Sequence, residues 1–137
     1  MKDQSTITTM KDIAITLKRN KPGELAKAVG AIANAQVNIE GFIETDGKFH
    51  CVTDDPKNAQ KALESAGFSV SATDVLVFPA DDRPGYLANV LRGISEQEVN
   101  VITSYVLTDT RVALAVDQPA RVKETLQQLA PQAAQRR

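Results

Sequence analysis

The hexapeptide Asn20–Leu25, reading NKPGEL, returns as DRPGYL at Asp82–Leu87, with Pro22 and Pro84 62 positions apart in a chain of 137 residues. No other feature limits the fold as strongly, because a repeat of this period means that one supersecondary unit is used twice. In each copy a β-rich run leads into the hexapeptide, and a leucine two places after the glycine opens a helical pattern. Each copy is therefore read as a strand-to-helix turn. Proline is expected within the first helical turn, where its missing N–H costs nothing, and glycine is expected to let the backbone approach a partner closely.

The elements around the two turns recur in the same order. Residues 5–17 are rich in Thr and Ile and predict one long strand or two collinear ones, with Ile13, Ile15 and Leu17 on one face. Leu25, Ala28, Val29, Ile32 and Ala33 predict a helix over about residues 23–35. Val37-Asn38-Ile39 opens a strand with Val37, Ile39, Gly41 and Ile43 on one side, and Asp46-Gly47 turns it into a hairpin with 48–53. Asp54-Asp55-Pro56 starts a second helix, carried by Ala59, Ala62, Leu63 and Ala66 and stopped by Gly67. The second pass runs through the β-rich stretch 69–78, a helix marked by Leu87, Val90, Leu91 and Ile94, and Val99-Asn100-Val101. It then turns at Thr108–Thr110 into 111–116 and ends in a helix marked by Val122, Leu126 and Leu129. Its hairpin is one residue longer.

The fold class is thus α+β, with a first unit over residues 1–67 and a second over 68–137. Each has the ferredoxin-like βαββαβ order but lacks its last strand. An exchange supplies the missing strands. Residues 68–74 finish the first unit while 75–79 start the second, and Thr6–Met10 completes the second unit, since the PQAAQRR tail has poor strand character. One continuous eight-stranded antiparallel sheet with helices on one face is a possible outcome.

Composition narrows the function. The net charge is −1 and the 16 basic residues are scattered, so there is no electrostatic footprint for nucleic acid or an anionic membrane. Aromatic content of 4% leaves no stacking platform for RNA. A single cysteine, no apolar leader and no long apolar run lead to the expectation of a cytoplasmic protein. Cys51 matches Leu114 across the repeat and is expected in the core. His50 points to the opposite face, so the two make no nucleophile–base pair. With one histidine, neither a metal site nor a cofactor is expected. Asp54-Asp55 and Asp81-Asp82 are paired carboxylates at predicted helix starts, where capping is favoured over acid–base work.

The Asn/Asp-x-Pro-Gly-x-Leu turn after a strand, the helix, and a Val-Asn-Ile/Val strand start 16 residues beyond the proline together resemble the ACT domain, twice, over about residues 12–130. The ACT domain is a small ligand-binding module of amino-acid metabolism. The resemblance implies a regulatory, non-enzymatic protein whose units pair side by side into an eight-stranded sheet. An amino acid or related effector would bind where the turns meet the neighbouring unit.

The residues themselves allow this. Backbone donors after Pro22 and Pro84 suit a carboxylate, helped by the helix dipole, and Asn20 or Asp82 suits an ammonium. The candidate binding residues are Asn20, Lys21, Pro22, Gly23, Glu24 and Leu25 with Asn38 and Ile39. In the second copy they are Asp82, Arg83, Pro84, Gly85, Tyr86 and Leu87 with Asn100 and Val101. Asn20 and Asp82 also read as helix caps, and Asn38 and Asn100 as closures of helix-to-strand connections. Tyr86 stands where Glu24 does, so two sites would differ in affinity. Leu76 and Phe78, opposite Val75 and Val77, need cover, which leads to the expectation of a homodimer unless helices of the same chain cover them. An interaction module or regulatory companion of a biosynthetic enzyme is the alternative, and a small enzyme on this scaffold a third.

Overall fold

A computed structural model of the chain describes residues 7–18 and 21–135, with side chains through residue 128. The elements are β1 (Thr8–Thr16), α1 (Glu24–Asn34), β2 (Ile39–Thr45), β3 (Lys48–Thr53), α2 (Pro56–Ser65), β4 (Ser71–Pro79), α3 (Tyr86–Glu96), β5 (Val101–Leu107), β6 (Arg111–Val116) and α4 (Pro119–Gln135). The strands hydrogen-bond in the order β2-β3-β1-β4-β6-β5. The chain forms two compact units, one of residues 11–74 and one of residues 75–137 together with those up to Met10. Of the expected Thr6–Met10 strand, Thr6 lies outside the described residues.

The exchange is visible in the two cores. The unit of residues 11–74 packs Ile13, Ile15 and Leu17 against Ala28, Ile32, Phe49, Cys51, Ala59 and Leu63, with Phe68 and Val70 completing it. In the other unit Leu76 and Phe78 pack against Tyr86, Val90, Ile94, Leu114, Val122 and Leu126, and Ile7 joins them from the start of the chain. The eight strand positions of two four-stranded units are thus filled by six strands, because β1 and β4 each serve twice. At Lys11 and Asp74, where the long strands pass from one unit to the other, the ammonium and carboxylate lie 2.7 Å apart on the surface. A pair this exposed adds at most about 1 kcal/mol.

The local turns follow from residue type. Asp46 and Gly47 both have positive φ, 49° and 83°, as a two-residue type I′ hairpin requires. Asp55 caps α2, its Oδ1 accepting from the Asn58 N–H at 3.2 Å. Asp54 has a different task, its carboxylate accepting from the Asn38 N–H at 3.0 Å while its own N–H donates to the Asn38 carbonyl. Asn100 and Asp117 repeat the arrangement, with a second bond from Asn100 Nδ2 to Asp117 Oδ2. The two asparagines therefore tie each helix-to-strand connection to the start of the next helix.

Several expectations require correction. Val37, Ile39, Gly41 and Ile43 do not share a face, because a bulge between Ile39 and Gly41 shifts the register by one. Ile39 packs against the core, whereas Ile43 pairs with His50 and points to the other side of the sheet. One added residue exchanges the two faces of a strand. Leu76 and Phe78 are covered by helices of their own unit, and Val75 and Val77 are each 1% exposed, so neither pair asks for a second copy of the chain. The last helix continues through Gln135 rather than ending near Ala130.

Candidate functional site

At the first turn, Pro22 lies in the turn and Gly23 is the N-cap residue of α1, with φ 91° and ψ −6°. Gly85 caps α3 in the same way, with φ 87° and ψ −14°. Neither proline is inside its helix, and no side chain caps either one, so the capping expected of Asp81-Asp82 is not found. The left-handed backbone is the reason for glycine here, since a side chain in that conformation costs about 1–2 kcal/mol. Close approach within the chain is not, because a Cβ on Gly23 or Gly85 would meet nothing within 4 Å.

Around the first turn the chain leaves two openings. The end of β1 is held to the β2–β3 hairpin by the Leu17 N–H, which donates to the Gly47 carbonyl at 2.7 Å, and Gly47 in turn donates to Glu44 Oε2 at 2.8 Å. Between this tip and the start of α1 lies a cavity of about 520 Å³ lined by Leu17, Lys18, Lys21, Gly23, Glu24, Leu25, Glu44, Asp46 and Gly47. A second, of about 320 Å³, is bounded by Thr16, Lys18, Glu24, Lys27, Gly67, Phe68 and Ser69. Lys27 Nζ stands 5.4 Å from the centre of the Phe68 ring. Lys18 and Glu24 line both cavities.

The second turn is built differently on the same backbone. Its connection from the strand is one residue shorter, Pro79 to Gly85 against Thr16 to Gly23. Tyr86, 1% exposed, fills the place after the glycine, and its hydroxyl donates to the Pro79 carbonyl at 2.9 Å. Arg83 lies over its ring at 5.8 Å and donates from Nε to Asp81 Oδ2 at 2.8 Å. Burial first, and then the Asp81 carboxylate, push the Tyr86 phenol above its usual pKa, while Arg83 opposes them. The phenol is a strut between turn and strand.

Of the sequence-derived candidates, the structure brings Lys21, Gly23, Glu24 and Leu25 to one cavity. Asn20 lies outside the described residues. Pro22 is exposed in the turn, and Asn38 and Ile39 are used by the Asp54 tie and the core. In the second copy Arg83 and Tyr86 hold each other, Asp82, Pro84 and Leu87 are exposed, and Asn100 is bound to Asp117 beside an exposed Val101. Lys18, Lys27 and Phe68 were not among the candidates. They lie outside the repeated hexapeptide, and only folding brings them beside it.

Elsewhere, His50 Nδ1 lies 3.0 Å from Asp12 Oδ1, the carboxylate being buried on the sheet face away from α1. Cys51 is wholly buried, and that burial, with the Asp12 carboxylate, pushes its thiol up to about 12. Among the described residues no three His, Cys, Asp or Glu side chains gather as a metal site, and no helix is long and apolar enough to cross a membrane.

The profile of the family described as an ACT domain pair matches residues 8–129. The chain belongs to that family. Among solved structures, a protein of Bacteroides thetaiotaomicron is similar at 26% identity and a TM-score of 0.77, over 89% of each chain. The ACT pair also shares its fold with the ligand-free regulatory subunit of aspartate kinase from Thermus thermophilus, at 15% identity and a TM-score of 0.63 over 93% of this chain and 99% of that one. The Thermus flavus regulatory subunit gives 17% identity and a TM-score of 0.65 over 96% and 99%. Comparison with curated proteins gives no match.

Proposed function

We propose that this ACT pair is a non-catalytic regulatory protein, located in the cytoplasm, that takes an amino acid or related small metabolite at its first strand-to-helix turn and passes the binding on to an enzyme partner. The observation that carries the proposal is the 520 Å³ cavity at that turn, where lysines, carboxylates and the N-terminus of α1 converge on a space the size of a small ligand. Lys18 and Lys21 suit a carboxylate, and the start of α1 adds the positive end of its dipole. The fold shared with aspartate kinase regulatory subunits supports the regulatory part of the reading. Binding alters a partner only through a difference in affinity between two states of the protein.

Thermal unfolding of the whole chain against the twenty amino acids and their biosynthetic precursors tests this. A ligand present at a hundred times its dissociation constant adds about 2.7 kcal/mol, visible as a rise in melting temperature. A selective rise is expected, and a flat panel would remove the proposal.

A second reading, an interaction module, is favoured by one observation in the second unit. Leu87 and Leu91 on α3, and Ile102 and Val106 on the edge strand β5, are 46%, 38%, 67% and 68% exposed. On this reading the protein is a homodimer in which the same apolar side chains of a second copy cover these. Sedimentation of wild type against Val106→Lys decides this, with a shift from dimer to monomer expected.

A further inference from the structure

The two outermost strands of the sheet, β2 and β5, hold the same place in their units and carry opposite chemistry. Across the 62-residue repeat, Glu40, Phe42 and Glu44 of β2 stand where β5 has Ile102, Ser104 and Val106. Directly paired residues share a face of the sheet, so the register fixes where these side chains lie. Phe42 and Glu44 pair with Cys51 and Phe49, and Ser104 and Val106 with Leu114 and Val112, all four partners being core residues beneath the helices. Glu40 and Ile102 occupy matching register shifts.

The helices on that face differ in the same sense. Leu25 and Val29 of α1 are half-buried and pack against their core, and the Phe42 ring lies 6.0 Å from that of Phe49. At the matching positions of α3, Leu87 and Leu91 are exposed, and Ser104 supplies no ring. An apolar strand edge invites unwanted association, and charged side chains are the usual protection. β2 has that protection and β5, which contains no charged residue, does not.

Two copies can meet through these edges in three ways, and charge decides among them. β2 against β2 would bring four carboxylates together. β2 against β5 would press Glu40 and Glu44 onto apolar side chains, with no basic residue in β5 to meet them. Both arrangements are unfavourable, the first by repulsion and the second by desolvation. β5 against β5 strips no charge of water and covers the exposed side chains with their own kind.

We infer that the chain dimerises through its second unit alone, and that Glu40 and Glu44 keep the first unit's matching edge out of the contact, so that assembly closes at two copies. This rests on the homodimer reading above and adds the residues that limit it. A chain with two such patches would join copies at both and grow beyond two. Glu44 also borders the larger cavity of the first turn, so that cavity stays outside the contact.

Sedimentation velocity and light scattering of the full chain test this in wild type and three variants. Wild type is expected as a dimer. Ile102→Glu with Val106→Glu gives the second edge the charges of the first and should raise the dimer dissociation constant at least about 100-fold, because each buried carboxylate acts twice in a two-fold contact. Glu40→Ile with Glu44→Val opens the first edge and should give species larger than two copies. All four substitutions together move the patch from one unit to the other and should restore a dimer, which also shows that charge and not a lost fold separates the copies of the first variant. A Glu40→Ile, Glu44→Val chain that stops at two copies, or a fourfold variant that stays monomeric, would overturn the inference and leave the homodimer reading standing. A monomeric wild type, or a dimer that persists with Ile102→Glu and Val106→Glu, would remove both.

Discussion

The two turns have nearly the same backbone and opposite interiors. Gly23 and Gly85 share the left-handed conformation within a few degrees, and each supplies the carbonyl that accepts the first helical bond, from Lys27 and Asn89. One residue later they diverge. Glu24 borders open space, whereas Tyr86 fills its place and bonds back to Pro79. Pro-Gly specifies where the chain turns, and the next side chain decides whether the turn borders an open cavity or is braced by a strut. A repeated motif is thus evidence for repeated geometry and not for repeated function.

Removing the strut should have the largest effect. Tyr86→Ala is expected to cost about 3–5 kcal/mol, as for other fully buried aromatics, read by urea denaturation. Glu24→Ala at the equivalent position should cost far less, and equal losses would end the contrast. Next, Ile7→Ala should cost about 2–4 kcal/mol, since this isoleucine is 4% exposed within the second unit's core although it precedes every other residue of that core by more than sixty positions. A change under 0.5 kcal/mol would show that the exchanged segment adds nothing.

The two glycines probe the shared half of the comparison. Gly23→Ala and Gly85→Ala should each cost about 1–2 kcal/mol and by similar amounts, because the strain is in φ and both sites are open. Unequal losses in denaturant midpoint would show that the turns differ in backbone as well as side chain.

The smallest effect concerns pH. The Cys51 thiol is raised from 9.0 to about 12 in the folded chain. Its contribution is therefore complete below pH 9 and is lost as the pH rises from about 9 toward 12, because the unfolded chain gives up the proton first. Midpoints at pH 8 and pH 10 should differ by about 1 kcal/mol more in wild type than in Cys51→Val. Equal differences would mean that the buried thiol is not the group responsible.

Much of the fold could be read from the chain because its signals are local. Asp46-Gly47 fixes a hairpin, Asp55-Pro56 a helix start, and the 62-residue period links the copies. The exchange was legible because the leading run matches residues 68–79. The bulge at Ile39/Gly41 was not, since pairing with β3 sets it and no local residue announces it. The candidate site was half legible. Gly23 and Glu24 stand in the motif, but the smaller cavity that Glu24 borders is also lined by Phe68, 44 positions away, which joins it only after folding. Within the chain itself, Gly23 and Gly85 answer a conformational requirement, a φ near 90°, and not a steric one.

The double duty of β1 and β4 orders events during synthesis. Residues 11–74 leave the ribosome as one uninterrupted piece with their whole core in hand, and at rates of about 5–20 residues per second they have seconds in which to condense before the rest follows. The other unit has no such independence. Its first-made described contributor, Ile7, waits for Leu126 before its core is complete, so a residue made before the other unit finishes the unit made after it.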